Sequence, residues 1–133
     1  MERILLAFDG GEPARRALET AAQLALAFRA TLSVVSVVPL GPDWRPTEPW
    51  DGGEAHAREL HEAQRVLAEH GIDVDLLEPL GDPAQTIERI AVEGNFDTIV
   101  IGSRGLSALD RVLRGSVSEH VVTHTSATVV VTH

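Results

Sequence analysis

Between Gly102 and Ser118 the chain reads GSRGLSALDRVLRGSVS, a spacing of G-x2-G-x9-G-S that ends on a hydroxyl pair, Ser116 and Ser118. Glycines at 102 and 105 carry no Cβ, so the main chain there turns sharply and approaches a sugar or phosphate closely. Gly115 does the same on the far side of the spacer. Ser116, Val117 and Ser118 stand where a helix would begin, with main-chain N–H groups unpaired beside the positive end of its dipole. Such a helix start holds an anion, and two hydroxyls add donors. The chemistry this spacing suits is the cradling of a phosphate without a lysine. A plainer account of the same residues stands beside it. Ser116 followed by Glu119 is a capping box, and Gly102 alone is strand-end turn chemistry.

Carboxylates and imidazoles are the other candidates. Asp9, in Asp9-Gly10-Gly11, is either the cap before a first helix or a group reaching ribose or base. Asp9 and Asp110 are the carboxylates expected near the same crevice, and neither has a visible general-base partner. His120 and His124 lie four apart at helical spacing, but no third ligand at metal-binding spacing accompanies them beyond Glu119. No metal site made of protein side chains is expected. A Mg²⁺ held by nucleotide phosphates and water fits better.

Composition narrows the choice further. The 133 residues carry 20 acidic against 11 basic side chains, a net charge of −9, which argues against binding a nucleic-acid backbone. There is no cysteine, so disulfides, thiolate metal sites and cysteine nucleophiles are excluded. All 11 basic residues are arginine, which excludes Schiff-base chemistry and a lysine-dependent P-loop. The sequence shows neither a secretory leader nor an apolar run of the ~20 residues that spans a membrane. A cytoplasmic protein without a membrane partner is expected.

The elements that must position these residues follow from hydrophobic periodicity. Arg3 to Phe8 is a short continuous apolar run, as in a strand buried on both faces. Helical spacing follows through Ala17, Leu18, Ala21, Leu24, Ala25 and Phe28, and then a β-branched run from Thr31 to Leu40. Pro42, Pro46 and Pro49 make 41–53 a long surface loop, which holds both tryptophans, Trp44 and Trp50. A helix from Glu54 to His70 closes at Gly71, DVDLLEPL alternates as a strand, and Asp82-Pro83 opens a helix to about Glu93. Asp97 to Gly102 is a buried strand, a last helix begins near Ser116, and ATVVVT at 127–132 is the final strand. Five strands alternating with four helices predict one α/β domain over 1–133: a three-layer α/β/α sandwich with a five-stranded parallel sheet, Rossmann-like. Ligands of such sheets bind beyond the carboxyl ends of the strands, where the strand order reverses. Both glycine loops emerge from strand ends.

With these residues in view, the chain resembles a single-domain universal stress protein. The ATP-binding branch of that family carries G-x2-G-x9-G-(S/T), and the similarity extends through LLAFDGGEPARRAL, GDPAQTI, FDTIVIGSRG and GSVSEHVVTHTSATVVV. The resemblance implies strand order 3-2-1-4-5, ATP between the first and fourth strands, and a homodimer joined through the fifth. Ala7, Phe8 and Asp9 would line the adenine and ribose side, and Val37 would pack on the adenine. Ile101, Gly102 and Gly105 would border the ribose, while Gly115, Ser116, Val117 and Ser118 would hold the phosphates. The family often has Ser where Gly11 stands, His where Ser36 stands, and Pro where Thr128 stands.

The expected function is that of an ATP-binding stress-response module with at most slow hydrolysis, since positioning and dipoles alone assist phosphoryl transfer only weakly. Two alternatives remain open at this point. One is a nucleotide-free interaction module that uses the dimer surface. The other is a dedicated nucleotide-hydrolysing enzyme of related fold, which ought to bring further catalytic motifs.

Overall fold

A computed structural model describes residues 1–8, 12–39, 53–102, 121 and 125–132. Five strands form one parallel sheet: β1 (Arg3–Ala7), β2 (Thr31–Val35), β4 (Val74–Leu77), β6 (Thr98–Gly102) and β7 (Thr128–Thr132). Two further short strands, β3 (Val38–Pro39) and β5 (Leu80–Gly81), pair with each other. The large sheet runs β4-β2-β1-β6-β7. Numbered by their own succession, its five strands have the order 3-2-1-4-5 that the resemblance implies.

Burial explains why β1 is central. Ile4, Leu5 and Leu6 have no exposed surface, and alternate residues point into opposite layers. Ile4, Leu6 and Phe8 join Leu32, Val34 and Val100 under α1 (Glu12–Phe28) and α2 (Gly53–Glu69), through Ala17, Ala21, Leu60, Ala63 and Leu67. Leu5, Val35, Ile99 and Ile101 meet Ile87 and Ala91 of α3 (Pro83–Glu93), together with the helical residue Val121, on the other face. Two apolar layers on one doubly covered sheet are what continuous apolar strands require.

Three helices end by one device. Arg29, Gly71 and Asn95 adopt left-handed φ values of 54°, 76° and 55°. In each case the next N–H reaches back across the last turn: Ala30 to Ala25 C=O, Ile72 to Leu67 C=O, and Phe96 to Ala91 C=O, at 3.0, 3.0 and 2.9 Å. This is the Schellman arrangement, which satisfies carbonyls that the helix leaves unpaired. α3 begins on Asp82, whose carboxylate accepts from Gln85 N–H at 3.0 Å, with Pro83 in the first turn.

The sequence-based expectation of single strands over 31–40 and 73–80 needs one correction. Each run is interrupted by two residues, Ser36-Val37 in the first and Glu78-Pro79 in the second. The register is the same on both sides of the break, since Val35 faces Leu77 and Val38 faces Leu80. Ser36 N–H still donates to Leu77 C=O at 2.9 Å. The next rung of a parallel ladder would need an N–H from Pro79, which proline lacks. The Pro-rich segment 41–52 and the start of the last helix at Ser116 lie outside the described residues.

Candidate functional site

The order of the sheet reverses beside β1. The chain leaves β1 for α1 on one face and returns as β2, whereas the segment after β6 includes Val121 on the opposite face. Connections that diverge to opposite layers leave a crevice beyond the carboxyl ends of the two strands between them. Ala7 and Ile101 are register partners at that point. Gly102 follows, half-buried, opposite Thr132 of β7.

Three of the side chains expected at the site share one face. Ala7, Val37 and Ile101 all belong to the layer that packs under α3 and Val121. Ala7 and Val37 are half-buried and Ile101 is buried. Phe8 goes the other way. Its side chain, 5% exposed, sits in the layer beneath α1 and α2, so what it leaves at the strand end is its main chain. Phe8 N–H donates to Val35 C=O at 2.9 Å, which ties the end of β1 to β2. Asp9, Gly105, Gly115, Ser116, Val117 and Ser118 lie outside the described residues, as do Asp110, His120 and His124.

The break in β2 has a consequence for Val37. Along this strand Val35 turns its carbonyl toward β1 and Ser36 turns its N–H toward β4. Val37 continues the first set at the point where β1 has ended. Were that alternation to continue through the break, Val37 would turn its N–H and C=O to the β1 side, at the end of that strand. The sequence alone did not single out the opposing pair that creates this break, Glu78 and Pro79, nor Thr86 beside it, and it marked Leu80-Gly81 only as a strand end. The signal available was Pro79 inside a run that otherwise alternates as a strand.

The titratable group among the described residues with the best-defined environment is at the opposite end of the sheet. Glu2 N–H holds the Asp97 carboxyl below its usual range, partial burial opposes this, and the Thr98 hydroxyl and Arg3 N–H add to the lowering. On α2, hydrogen bonding to Arg65 lowers Glu62 in the same sense, at an exposed position. Among the described residues no group of three His, Asp or Glu side chains could hold a metal ion, and no helix is long and apolar enough to cross a membrane. His70 Nδ1 is 2.9 Å from Val66 C=O, a contact within its own helix.

Comparison with known proteins agrees with this architecture. The sequence profile of the universal stress protein family matches residues 1–133. The protein described as "Universal stress protein in QAH/OAS sulfhydrylase 3'region" of Thermus aquaticus is 40% identical over 124 residues, covering 90% of this chain and 89% of its own. A universal stress protein solved in complex with cAMP superimposes with a TM-score of 0.80 at 23% identity, covering 99% of this chain and 97% of its own. The universal stress protein from Archaeoglobus fulgidus in complex with dAMP does so with a TM-score of 0.77 at 22% identity, covering 100% and 98%. At these identities the solved structures establish the shared fold, and the profile and the Thermus relative establish the kinship: the chain belongs to the universal stress protein family.

Proposed function

We propose that the chain binds an adenine nucleotide, ATP with Mg²⁺, at the reversal point of the sheet, and serves as a cytoplasmic nucleotide-dependent stress-response module with at most slow hydrolysis. The observation that carries this reading is the meeting of Ala7, Val37, Ile101 and Gly102 at the carboxyl ends of adjacent strands, where the G-x2-G-x9-G-S stretch begins. Two fold neighbours solved with cAMP and with dAMP support a nucleotide as the ligand class.

The residues fit such a ligand. Ala7 and Gly102 are small and only half-buried, which leaves room against main chain for a sugar. Val37, Ala7 and Ile101 offer an apolar wall to a base, and the main chain of Val37 offers polar groups to its edge. Phe8 contributes main chain, and Asp9 would reach the ribose. Gly105, Gly115, Ser116, Val117 and Ser118 would carry the phosphates on N–H groups and hydroxyls, which suits a chain without lysine. Bound Mg²⁺ would neutralise phosphate charge, held by the nucleotide and water.

A homodimer through 127–132 belongs to the same reading. β7 lies at the edge of the sheet, and Val129, Val130 and Val131 are only half-buried. The opposite edge, β4, carries the exposed Asp75, a charge of the kind that discourages strand addition. β7 has no charged residue, and pairing of two copies about a two-fold axis would satisfy its outer N–H and C=O groups.

Thermal melting with ATP and Mg²⁺ tests the central claim. A ligand of the folded state adds about 2.7 kcal/mol at a hundredfold excess over Kd, a shift of several degrees for a domain of this size. Mass spectrometry of protein purified under native conditions shows whether nucleotide was already bound. No shift, with no bound nucleotide, leaves the interaction-module alternative. Rapid release of inorganic phosphate would instead favour a dedicated hydrolase.

A further inference from the structure

β3 and β5 form the two-residue parallel pair that resumes the β2–β4 register after the break. Ser36-Val37 is thus held from both sides: Ser36 N–H on Leu77 C=O before it, and the Val38–Leu80 and Pro39–Gly81 pairings after it. The second of these pairings depends on an unusual contact. Gly81 has φ +147°, a conformation that L side chains rarely adopt. A Cβ placed on it would fall 2.7 Å from Oγ1 of Thr86. That hydroxyl cannot readily withdraw. Thr86 is 5% exposed, and its N–H donates to Asp82 C=O at 2.9 Å in the first turn of α3. The start of α3 therefore lies flush against β5, and β5 in turn pairs with β3.

We infer that Gly81, seated on Thr86, is a positioning residue for the base-binding side of the site, acting through the β3–β5 pair on Val37. This rests on the nucleotide reading above and adds to it a determinant with no contact to the ligand. The physical chain is short. A side chain at 81 forces β5 away from α3 or twists its main chain out of φ +147°. Either displacement opens the Pro39–Gly81 pairing, and the residue freed next to it in sequence is Val38, the neighbour of Val37. β6, which leads into the G-x2-G-x9-G-S stretch, pairs with the other side of β1 from β2, so phosphate binding by that stretch should be unaffected.

The test compares ATP and GTP, which share ribose and triphosphate and differ in the base. Dissociation constants for both are measured by calorimetry on wild type and Gly81→Ala, with amide exchange at Val38 reporting whether the strand pair has opened. Wild type should prefer ATP. Gly81→Ala should weaken ATP about tenfold, the scale of one misplaced hydrogen bond or apolar contact, while GTP changes little and the ATP:GTP ratio moves toward one. An unchanged ratio with Val38 exposed to exchange overturns the inference, as does an equal loss for both nucleotides. Equal binding of ATP and GTP by wild type overturns it as well, since no base-reading wall would then need positioning. If Gly81→Ala fails to fold or leaves the pair closed, Val38→Pro takes an N–H out of β3 directly, and the same comparison applies. Failure of wild type to bind either nucleotide would strike at the nucleotide reading itself, a separate outcome.

Discussion

Oδ2 of Asp97 accepts the main-chain N–H of Glu2 at 2.7 Å, joining positions 95 residues apart in sequence. The same oxygen accepts Arg3 N–H at 3.1 Å, and Oδ1 accepts the Thr98 hydroxyl at 2.7 Å. The main chain of Asp97 is engaged too, donating to Arg3 C=O at 3.0 Å and accepting from Thr128 N–H at 2.9 Å. One residue thereby aligns the amino ends of β1, β6 and β7. Arg3 strengthens the corner, with Nε donating to Gly94 C=O at 2.8 Å and its guanidinium 4.8 Å from the centre of the Phe96 ring.

Asp97→Asn should lower stability by about 1 kcal/mol at neutral pH, the scale of charge-assisted hydrogen bonds at a solvent-accessible corner. The pH dependence has a definite sign. Because folding depresses this carboxyl, its contribution is complete above the ordinary value of about pH 4 and is lost as pH falls through the lower folded value. Urea titrations between pH 2 and pH 7 should show a shallower acid limb for Asp97→Asn than for wild type. Parallel curves would refute the assignment.

The left-handed helix ends make opposite predictions for substitutions toward and away from glycine. Gly71→Ala should cost about 1 kcal/mol through its φ alone, because a Cβ there meets nothing within 4 Å. Arg29→Gly should be stabilising by up to about 1 kcal/mol, and Asn95→Gly by less, since asparagine tolerates this conformation better. Chemical denaturation of the three variants checks the ranking.

If the G-x2-G-x9-G-S stretch cradles phosphate as proposed, Gly105→Val and Gly115→Val should each reduce ATP affinity at least about tenfold with modest loss of stability, because a branched side chain would stand where main chain approaches the ligand. Asp9→Ala should weaken binding less, by loss of a ribose or base contact. Calorimetry on folded variants decides. Normal binding by both glycine variants would reduce the motif to turn chemistry.

Light scattering at micromolar concentration should find the wild type dimeric. Val129→Pro removes an N–H that, unlike those of Thr128 and Val130, points away from β6 to the side where a second copy would pair, so this variant should stay folded and dissociate. A monomeric wild type would mean that β7 is protected in another way.

Much of this was legible in the chain. Continuous apolar runs marked β1 and β6, Asp82-Pro83 marked the start of α3, and Gly71 marked the end of α2. The strand order came from resemblance, because alternation of elements fixes parallelism and not the order. Arg29 and Asn95 were not readable as helix ends, since neither is the residue that this conformation favours. The break at Val37 was hidden because its cause, Pro79, is on the partner strand. At the site, Phe8 could be assigned to the strand end by pattern, but the direction of its side chain follows from parity along β1, which packs it under α1.

The central strand precedes its sheet partners in the chain, and its two neighbours are supplied at very different times during synthesis. β1 pairs with β2 within the first 35 residues, whereas its other neighbour is supplied by residues 98–102. Until residues 98–102 are made, the edge of β1 that carries Ile4, Leu5 and Leu6 lacks the partner it has in the finished sheet. Closing that edge requires a contact across more than half the chain, a topology associated with slow folding and with exposure to wrong pairing on the way. For this protein the vulnerable interval on the ribosome lies between the completion of β4 and the emergence of β6.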